Sequence, residues 1–382
     1  MQWMVPHNRL GEAQLAVLNR CLQVKQGRLW IQGVAGSGKT VLLVHAIREA
    51  LIENSNLSVC VVVFTHALKD LVKTGMPEHL GHVPVMTYHS FLSNPRQYDL
   101  IVVDEVQDLK ENELANLAQC ATKLIVAGDG DQSIYVGGVS QAQIVKLLSP
   151  ETHRLAVLYR LTEKLRQIAR AILPQTHIET AAMGRTNPNV DVRLAHASDS
   201  ESEIAWVWRQ SARYARPTDP SAILLPNKRM INRFINSVCR MQDIPEPAYV
   251  TLENRGVDYN TINAHLAKHA INLRYIGNDF GALSESDERP IIYLMTYHSA
   301  KGLDYDTVFL PHLDSTTCFW RDDEQLARRL FFVAATRCRR NLIMSYHTQH
   351  PHPYVASLPQ NLINLEDCTT PQTATNTDID LF

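Results

Sequence analysis

Gly33-Val34-Ala35-Gly36-Ser37-Gly38-Lys39-Thr40 follows the apolar stretch Leu29-Trp30-Ile31-Gln32 and opens a second one, Val41 to Leu51. A glycine-rich turn between a strand and a helix, ending in Lys-Thr, is the setting of a phosphate-binding loop. Its glycines let successive backbone N–H groups wrap the β- and γ-phosphates at a helix N-terminus. Lys39 adds a point cation, and Thr40 supplies a hydroxyl ligand for Mg2+. Farther along, Leu100-Ile101-Val102-Val103 runs into Asp104-Glu105-Val106-Gln107-Asp108, so an apolar strand delivers carboxylates at its C-terminal end. Open α/β sheets place ligands there. Asp104 is expected to hold the magnesium shell and Glu105 to polarise an attacking water, because phosphoryl transfer rests on positioning and charge neutralisation. The pair implies hydrolysis of a nucleotide, beyond its binding.

Outward from these motifs, short β-branched runs alternate with amphipathic stretches. Strands are predicted at Arg28 to Gly33, Val59 to Phe64, Leu100 to Val103, Lys123 to Ala127, Ala222 to Leu225, Ile291 to Met295, Val308 to Leu310 and Leu342 to Tyr346. Such alternation means parallel sheets covered on both faces, an α/β fold. The pattern occurs twice, predicting one domain over 1–148 and another over 149–365, with a weakly patterned insertion at about 240–290. The polar ending 366–382 is expected to be a flexible tail.

The chain has 382 residues, enough for two domains with cores of their own. Lys plus Arg number 37 and Asp plus Glu 39, a net charge of −2, so any nucleic-acid contact must come from a local surface and not from bulk attraction. The 7 cysteines form no CxxC pair or zinc-spaced cluster, which fits a reduced, cytoplasmic setting. The longest apolar runs are too short to span a bilayer, so no membrane contact is expected.

Beyond the two phosphate-site motifs the sequence resembles the UvrD/Rep type of superfamily 1 DNA helicases, in the family's motif order across most of the chain. Asn8 to Ala16, with Gln14, resembles the adenine-reading segment. Val63-Phe64-Thr65-His66-Ala67 is similar to motif Ia, and Met86-Thr87-Tyr88-His89-Ser90-Phe91 to the T-x-H-S-F segment. Asp104 to Asp108 reads DEVQD where many relatives read DEAQD. Ala127 to Tyr135 resembles motif III, where Gln132 takes the place of the γ-phosphate-sensing glutamine. Tyr159-Arg160 resembles motif IV, Thr296 to Asp304 motif V, and Arg329 to Arg337 motif VI. The resemblance implies two RecA-like P-loop NTPase domains with the nucleotide in the cleft between them, and ATP and Mg2+ as its ligands.

Residue by residue, it implies that Lys39, Asp104, Glu105, Gln132, Arg160 and Arg337 carry the chemistry. Gln14, Gly33, Ala35, Gly36, Ser37, Gly38, Thr40, Tyr159, Gly302 and Asp304 would hold the nucleotide. Phe64, Thr65, Thr87, His89, Thr296 and His298 match the positions that meet a single strand of DNA. Arg160 and Arg337 are permanently charged forks in the lobe opposite the phosphate loop, so closing the lobes would complete the site and hydrolysis would release it.

Three departures from the family stand out. Tyr135-Val136-Gly137-Gly138-Val139 has glycine where the family carries an aromatic and an arginine, Asp304 replaces the usual Glu, and the large inserted duplex-gripping subdomains are missing. Asp378-Ile379-Asp380-Leu381-Phe382 is similar to the pentapeptide that docks on bacterial sliding clamps. The sequence thus supports an ATP-driven 3′ to 5′ translocase or helicase on single-stranded DNA. Its alternatives are an ATPase switch or motor subunit serving a nuclease, repair or defence partner, and an RNA-directed motor.

Overall fold

The computed structural model describes residues 3–368 apart from 160, 177, 179–181, 184–188 and 254–255. Arg160 and the pentapeptide Asp378 to Phe382 therefore lie outside the described residues. Six strands form the first sheet: β1 (Gly27–Gly33), β2 (Val59–Val63), β3 (Val85–Thr87), β4 (Tyr98–Val103), β5 (Ala121–Gly128) and β6 (Glu151–Leu155). Their order is β3-β2-β4-β5-β1-β6, and every pairing is parallel. All five residues of β2 are buried, as expected for a strand covered by helices on both faces.

A small ribbon, β7 (Val157–Leu158) with β8 (Ala182–Met183), connects to the second lobe. There β9 (Asp191–His196), β10 (Ser221–Leu225), β13 (Leu273–Tyr275), β14 (Ile292–Thr296), β15 (Tyr305–Leu310), β16 (Cys338–Tyr346) and β17 (Asn364–Asp367) form a parallel seven-stranded sheet. Its order is β13-β14-β10-β15-β16-β9-β17, and a hairpin of β11 (Thr251–Leu252) and β12 (Gly256–Val257) stands apart from it. Two parallel α/β lobes of RecA-like kind result, as the sequence implies.

Every strand expected from an apolar run is present. The differences lie at the margins and have one cause, local polarity. β6 completes the first sheet against β1, so that sheet extends past residue 148; its Glu-Thr-His-Arg face is half-exposed and shows no apolar run. The segment 240–290 is more ordered than its pattern suggests, since helix Tyr259–Lys268 packs beside β13 as the sheet's edge. β17 reaches Asp367, two residues into the expected tail, because it pairs with β9. No helix among the described residues is long and apolar enough to cross a membrane.

Candidate nucleotide cleft and strand groove

The phosphate loop leaves β1 and ends at Gly38, whose φ of 87° lies in the left-handed region. That conformation favours glycine, and a Cβ there would also sit 2.4 Å from Gln14 Nε2 and displace its amide. Helix Lys39–Glu53 starts at once and brings its N-terminus to the loop. Gln14 fastens the loop from outside: its Nε2 donates to Ser37 O at 3.0 Å and its Oε1 accepts from Gly11 N at 3.0 Å. Lys39, nearly buried, donates through Nζ to Gly33 O at 2.9 Å and Val34 O at 3.3 Å.

β4 delivers the acidic pair. Thr40 Oγ1 donates to Asp104 Oδ2 at 2.6 Å, which places hydroxyl and carboxylate side by side as a divalent-ion site requires. Burial, then the neighbouring Glu105, pushes the Asp104 carboxyl up to about 6. Ser37 Oγ is buried within the loop without a hydrogen-bond partner. An orphaned hydroxyl and an anion held at a cost beside a cationic Lys39 fit a phosphate with its Mg2+. Glu105 holds φ at 57°, a strained conformation for a non-glycine residue and one that clusters at functional sites. Burial opposes its charge, but Lys301, Lys39, the Gln107 amide and Arg337 together keep its carboxyl below the ordinary range.

From the second lobe, helix Glu324–Ala335 is capped by Asp323 and anchored by Leu330, Phe331 and Phe332, all buried. Arg337 follows directly beyond its C-terminal end. Its Nη2 donates to Gln132 Oε1 at 3.0 Å, and Gln132 Nε2 donates to Asp129 Oδ2 at 2.8 Å. Arg337 Nη1 lies 4.0 Å from Asp304 Oδ1. Ala35, Gly36, Gly38, Lys39, Thr40, Glu105, Gln132, Tyr159, Gly302, Asp304, Arg337 and Gln14 all line one cleft of about 750 Å3 between the lobes. Gly33, Ser37 and Asp104 sit buried beside it.

The strand-contact candidates also gather in one place. Phe64, Thr65, Thr87, His89, Thr296 and His298 line a second groove, of about 930 Å3, with Tyr135 and Asn278. Three of them have a structural duty. Thr65 and Thr87 cap helices His66–Gly75 and Tyr88–Ser93 by accepting from Leu68 N and Ser90 N, and Thr296 accepts from Ser299 N. Residues from the first turns of both helices, His66, Ala67, His89 and Ser90, line this groove as well. Phe64 and Tyr135 pack with centroids 4.3 Å apart, Tyr135 and His298 at 5.5 Å, and His298 and the exposed Trp320 at 5.8 Å. Burial and Lys301 push His298 down to about 4, so its ring is neutral and can stack.

Sequence reasoning assigned no role to the residues that join the two clefts. Lys301 Nζ contacts Asp108 Oδ1 and Oδ2 at 2.8 and 2.6 Å, donates to Gln132 O, and lies 3.8 Å from Glu105 Oε2. Both partners are buried, one from each lobe. Gln107 bonds Glu105 through Nε2 and accepts from Asp129 N through Oε1. Lys301 and Asp108 stand inside the quoted motifs, but nothing in the residues around Lys301, His298-Ser299-Ala300 and Gly302-Leu303-Asp304, marks it as buried. Their pairing spans 193 positions and needs the fold. The glycines after Tyr135 also gain a reason: Gly137 has φ of 85°, and a Cβ on Gly138 would lie 2.2 Å from Gln107 O.

Comparison with known proteins finds matches in both lobes. Residues 256–349 match the UvrD-like helicase C-terminal domain, and residues 9–196 match an AAA domain. The RecBCD enzyme subunit RecB of Chlamydia pneumoniae is 34% identical over 83 residues, which span 22% of this chain and 8% of that protein. Among solved structures, the PRRSV helicase is similar over 88% of this chain and 55% of its own, with 16% identity and a TM-score of 0.44. A DNA complex of arterivirus nonstructural protein 10 (helicase) covers 89% and 65%, with 15% identity and a TM-score of 0.42.

Proposed function

We propose that the chain is a UvrD-like superfamily 1 helicase, an ATP-driven translocase that moves 3′ to 5′ along single-stranded DNA. One observation carries this reading: two short segments, 132–135 and 296–304, each line both clefts. Gln132 faces the nucleotide cleft and Tyr135 the groove; Gly302 and Asp304 face the cleft, Thr296 and His298 the groove. A change at a terminal phosphate thus moves the walls that grip a strand, and the buried Lys301–Asp108 pair couples the two lobes between them.

In this mechanism the loop N–H groups and Lys39 hold the phosphates, Glu105 orients the attacking water, and Gln132 with Arg337 meets the charge that develops on the γ-phosphoryl group. Mg2+, held by Thr40 and Asp104, would neutralise phosphate charge when bound. Arg160, outside the described residues, is assigned a second cationic contact. Tyr159 and Gln14 flank the base, and Asp304 meets the ribose. Loss of the terminal phosphate removes what the arginine holds, so the lobes part. In the groove, Phe64, Tyr135 and His298 stack on bases of any sequence while helix N-termini and Thr65, Thr87 and His89 take the backbone.

A second reading is a motor subunit that acts with a nuclease, repair or defence partner. It is favoured by the likeness to RecB, described as a subunit of the RecBCD enzyme, and by the brevity of the chain between its motifs. ATP turnover of the purified chain with oligo-dT, oligo-rU and duplex DNA separates these readings. Stimulation by oligo-dT supports a DNA motor and stimulation by oligo-rU alone an RNA motor. No stimulation points to partner dependence, and directional streptavidin displacement from either end of oligo-dT sets the polarity.

A further inference from the structure

At the far ends of the second sheet's strands from the nucleotide cleft, four side chains meet that the proposed activity does not use. Glu203 projects from helix Ser200–Tyr214, His312 and Asp314 follow β15, and His347 follows β16. Arg337 and Asp304 precede those same two strands, so the strands themselves, at about 3.3 Å per residue, hold the cluster roughly 25 Å from the cleft. One oxygen of each carboxylate is held by the protein. Glu203 Oε1 accepts from Ser345 Oγ at 2.6 Å and His312 N at 2.7 Å. Asp314 Oδ1 accepts from His347 N at 2.8 Å and Thr348 N at 3.1 Å.

The second oxygens are thereby turned toward the two imidazoles. Glu203 Oε2 lies 3.0 Å from His312 Nδ1 and 2.6 Å from His347 Nδ1, and Asp314 Oδ2 lies 3.2 Å from His347 Nδ1. All four donor atoms fall within 4.8 Å of one another, three of the residues are buried and His347 opens to solvent. A tetrahedral ion with bonds of about 2.0–2.2 Å needs donor separations of about 3.3–3.6 Å, which shifts of under about 1 Å would give. Fixing one oxygen of a ligating carboxylate so that the other faces inward is what outer-shell partners of metal sites do. His312 keeps a left-handed backbone, φ 58°, to reach this point.

We propose that Glu203, His312, Asp314 and His347 form a structural zinc site that pins helix Ser200–Tyr214 to the ends of β15 and β16. Two imidazole nitrogens and two carboxylate oxygens suit Zn2+, and four protein donors close its tetrahedron, so the ion stabilises the lobe and takes no part in hydrolysis. Zinc also finds thiols, so the exposed Cys318 is the control.

The test strips the full chain with a chelator, returns Zn2+ alone in excess Mg2+, and measures retained zinc by atomic emission together with the melting temperature. Wild type and Cys318→Ser should retain one zinc per chain and melt higher with it. His347→Asn and Asp314→Asn, each shown folded by circular dichroism, should retain less than a tenth and show no shift. Zinc-free wild type, or equal retention in the two variants and wild type, would overturn the proposal. Co2+ in place of Zn2+ gives a second readout: tetrahedral d–d bands in wild type that vanish in His347→Asn support it, and their absence from wild type contradicts it.

Discussion

Replacing Lys301 by methionine removes the cation at the centre of the interlobe contact while nearly preserving its volume. Its partner Asp108 is fully buried and is met at both oxygens by Lys301 Nζ, at 2.8 and 2.6 Å. Breaking such a pair from one side costs about 3–5 kcal/mol, because the remaining charge is uncompensated. Burial already pushes the Asp108 carboxyl up to about 7, with Lys301 opposing that rise. Without Lys301 the folded value climbs further while the unfolded one stays near 3.9. The folded state then holds a proton that the unfolded state has lost, and stability falls with pH. The expected slope is about 1.4 kcal/mol per pH unit from about pH 5, above the unfolded value, until the raised value is passed. Urea unfolding of wild type, Lys301→Met, Asp108→Asn and the double variant at pH 6, 7 and 8 reads both quantities. The account expects Lys301→Met to be the least stable, increasingly so toward pH 8, and the double variant to recover about 2 kcal/mol or more as coupling. A Lys301→Met chain within about 1 kcal/mol of wild type at every pH, with no coupling in the cycle, would refute the buried lock.

Three further outcomes are expected. Lys39→Ala should lower ATP turnover by about a hundredfold or more with unchanged circular dichroism, since one preorganised charge at a developing anion is worth that much; near-normal turnover would remove the phosphate-site assignment. Tyr135→Ala should weaken oligo-dT binding by about 1–3 kcal/mol in fluorescence anisotropy, the worth of one stacked base, and leave nucleotide binding intact; an unchanged affinity would place the strand elsewhere. In the metal-free chain, His347 is raised above its ordinary value, chiefly by its hydrogen bond to Glu203, and Glu203, despite burial, is held at about 2 by the His312 and His347 bonds. Stability from His347 is thus fully present below about pH 6.5 and lost as pH rises through its folded value, while that from Glu203 is lost as pH falls below about 4.5 toward 2. His347→Gln should flatten melting temperature against pH on the alkaline side; a curve like that of wild type would deny the pair its role.

The sequence carries the sheets and the nucleotide motifs unusually well, for a physical reason. Central parallel strands are buried on both faces and read as apolar runs, as β2 and β4 do. The edge strands β6 and β17 are largely exposed and do not: β6 begins Glu-Thr-His-Arg and shows no apolar run. The phosphate loop is legible because its chemistry lies in consecutive backbone units, and the acidic pair because a strand end presents both carboxylates together. What joins the clefts is not local. Lys301 and Asp108 acquire meaning only when two lobes meet, and Glu203 finds His347 across 144 positions of chain. The threonines of the groove show another limit: the sequence matches Thr65 and Thr87 to strand-contacting positions, and the structure makes each a helix cap as well.

The central claim is that both lobes hold the terminal phosphoryl group, and a transition-state mimic tests it most directly. ADP with aluminium fluoride reproduces the charge met by Gln132 and Arg337, whereas ADP alone lacks it. Dissociation of both ligands should be measured for wild type and Arg337→Ala. The account predicts that the variant binds ADP like wild type and loses the aluminium fluoride complex by about a hundredfold or more. Equal retention of that complex by the two chains would contradict it.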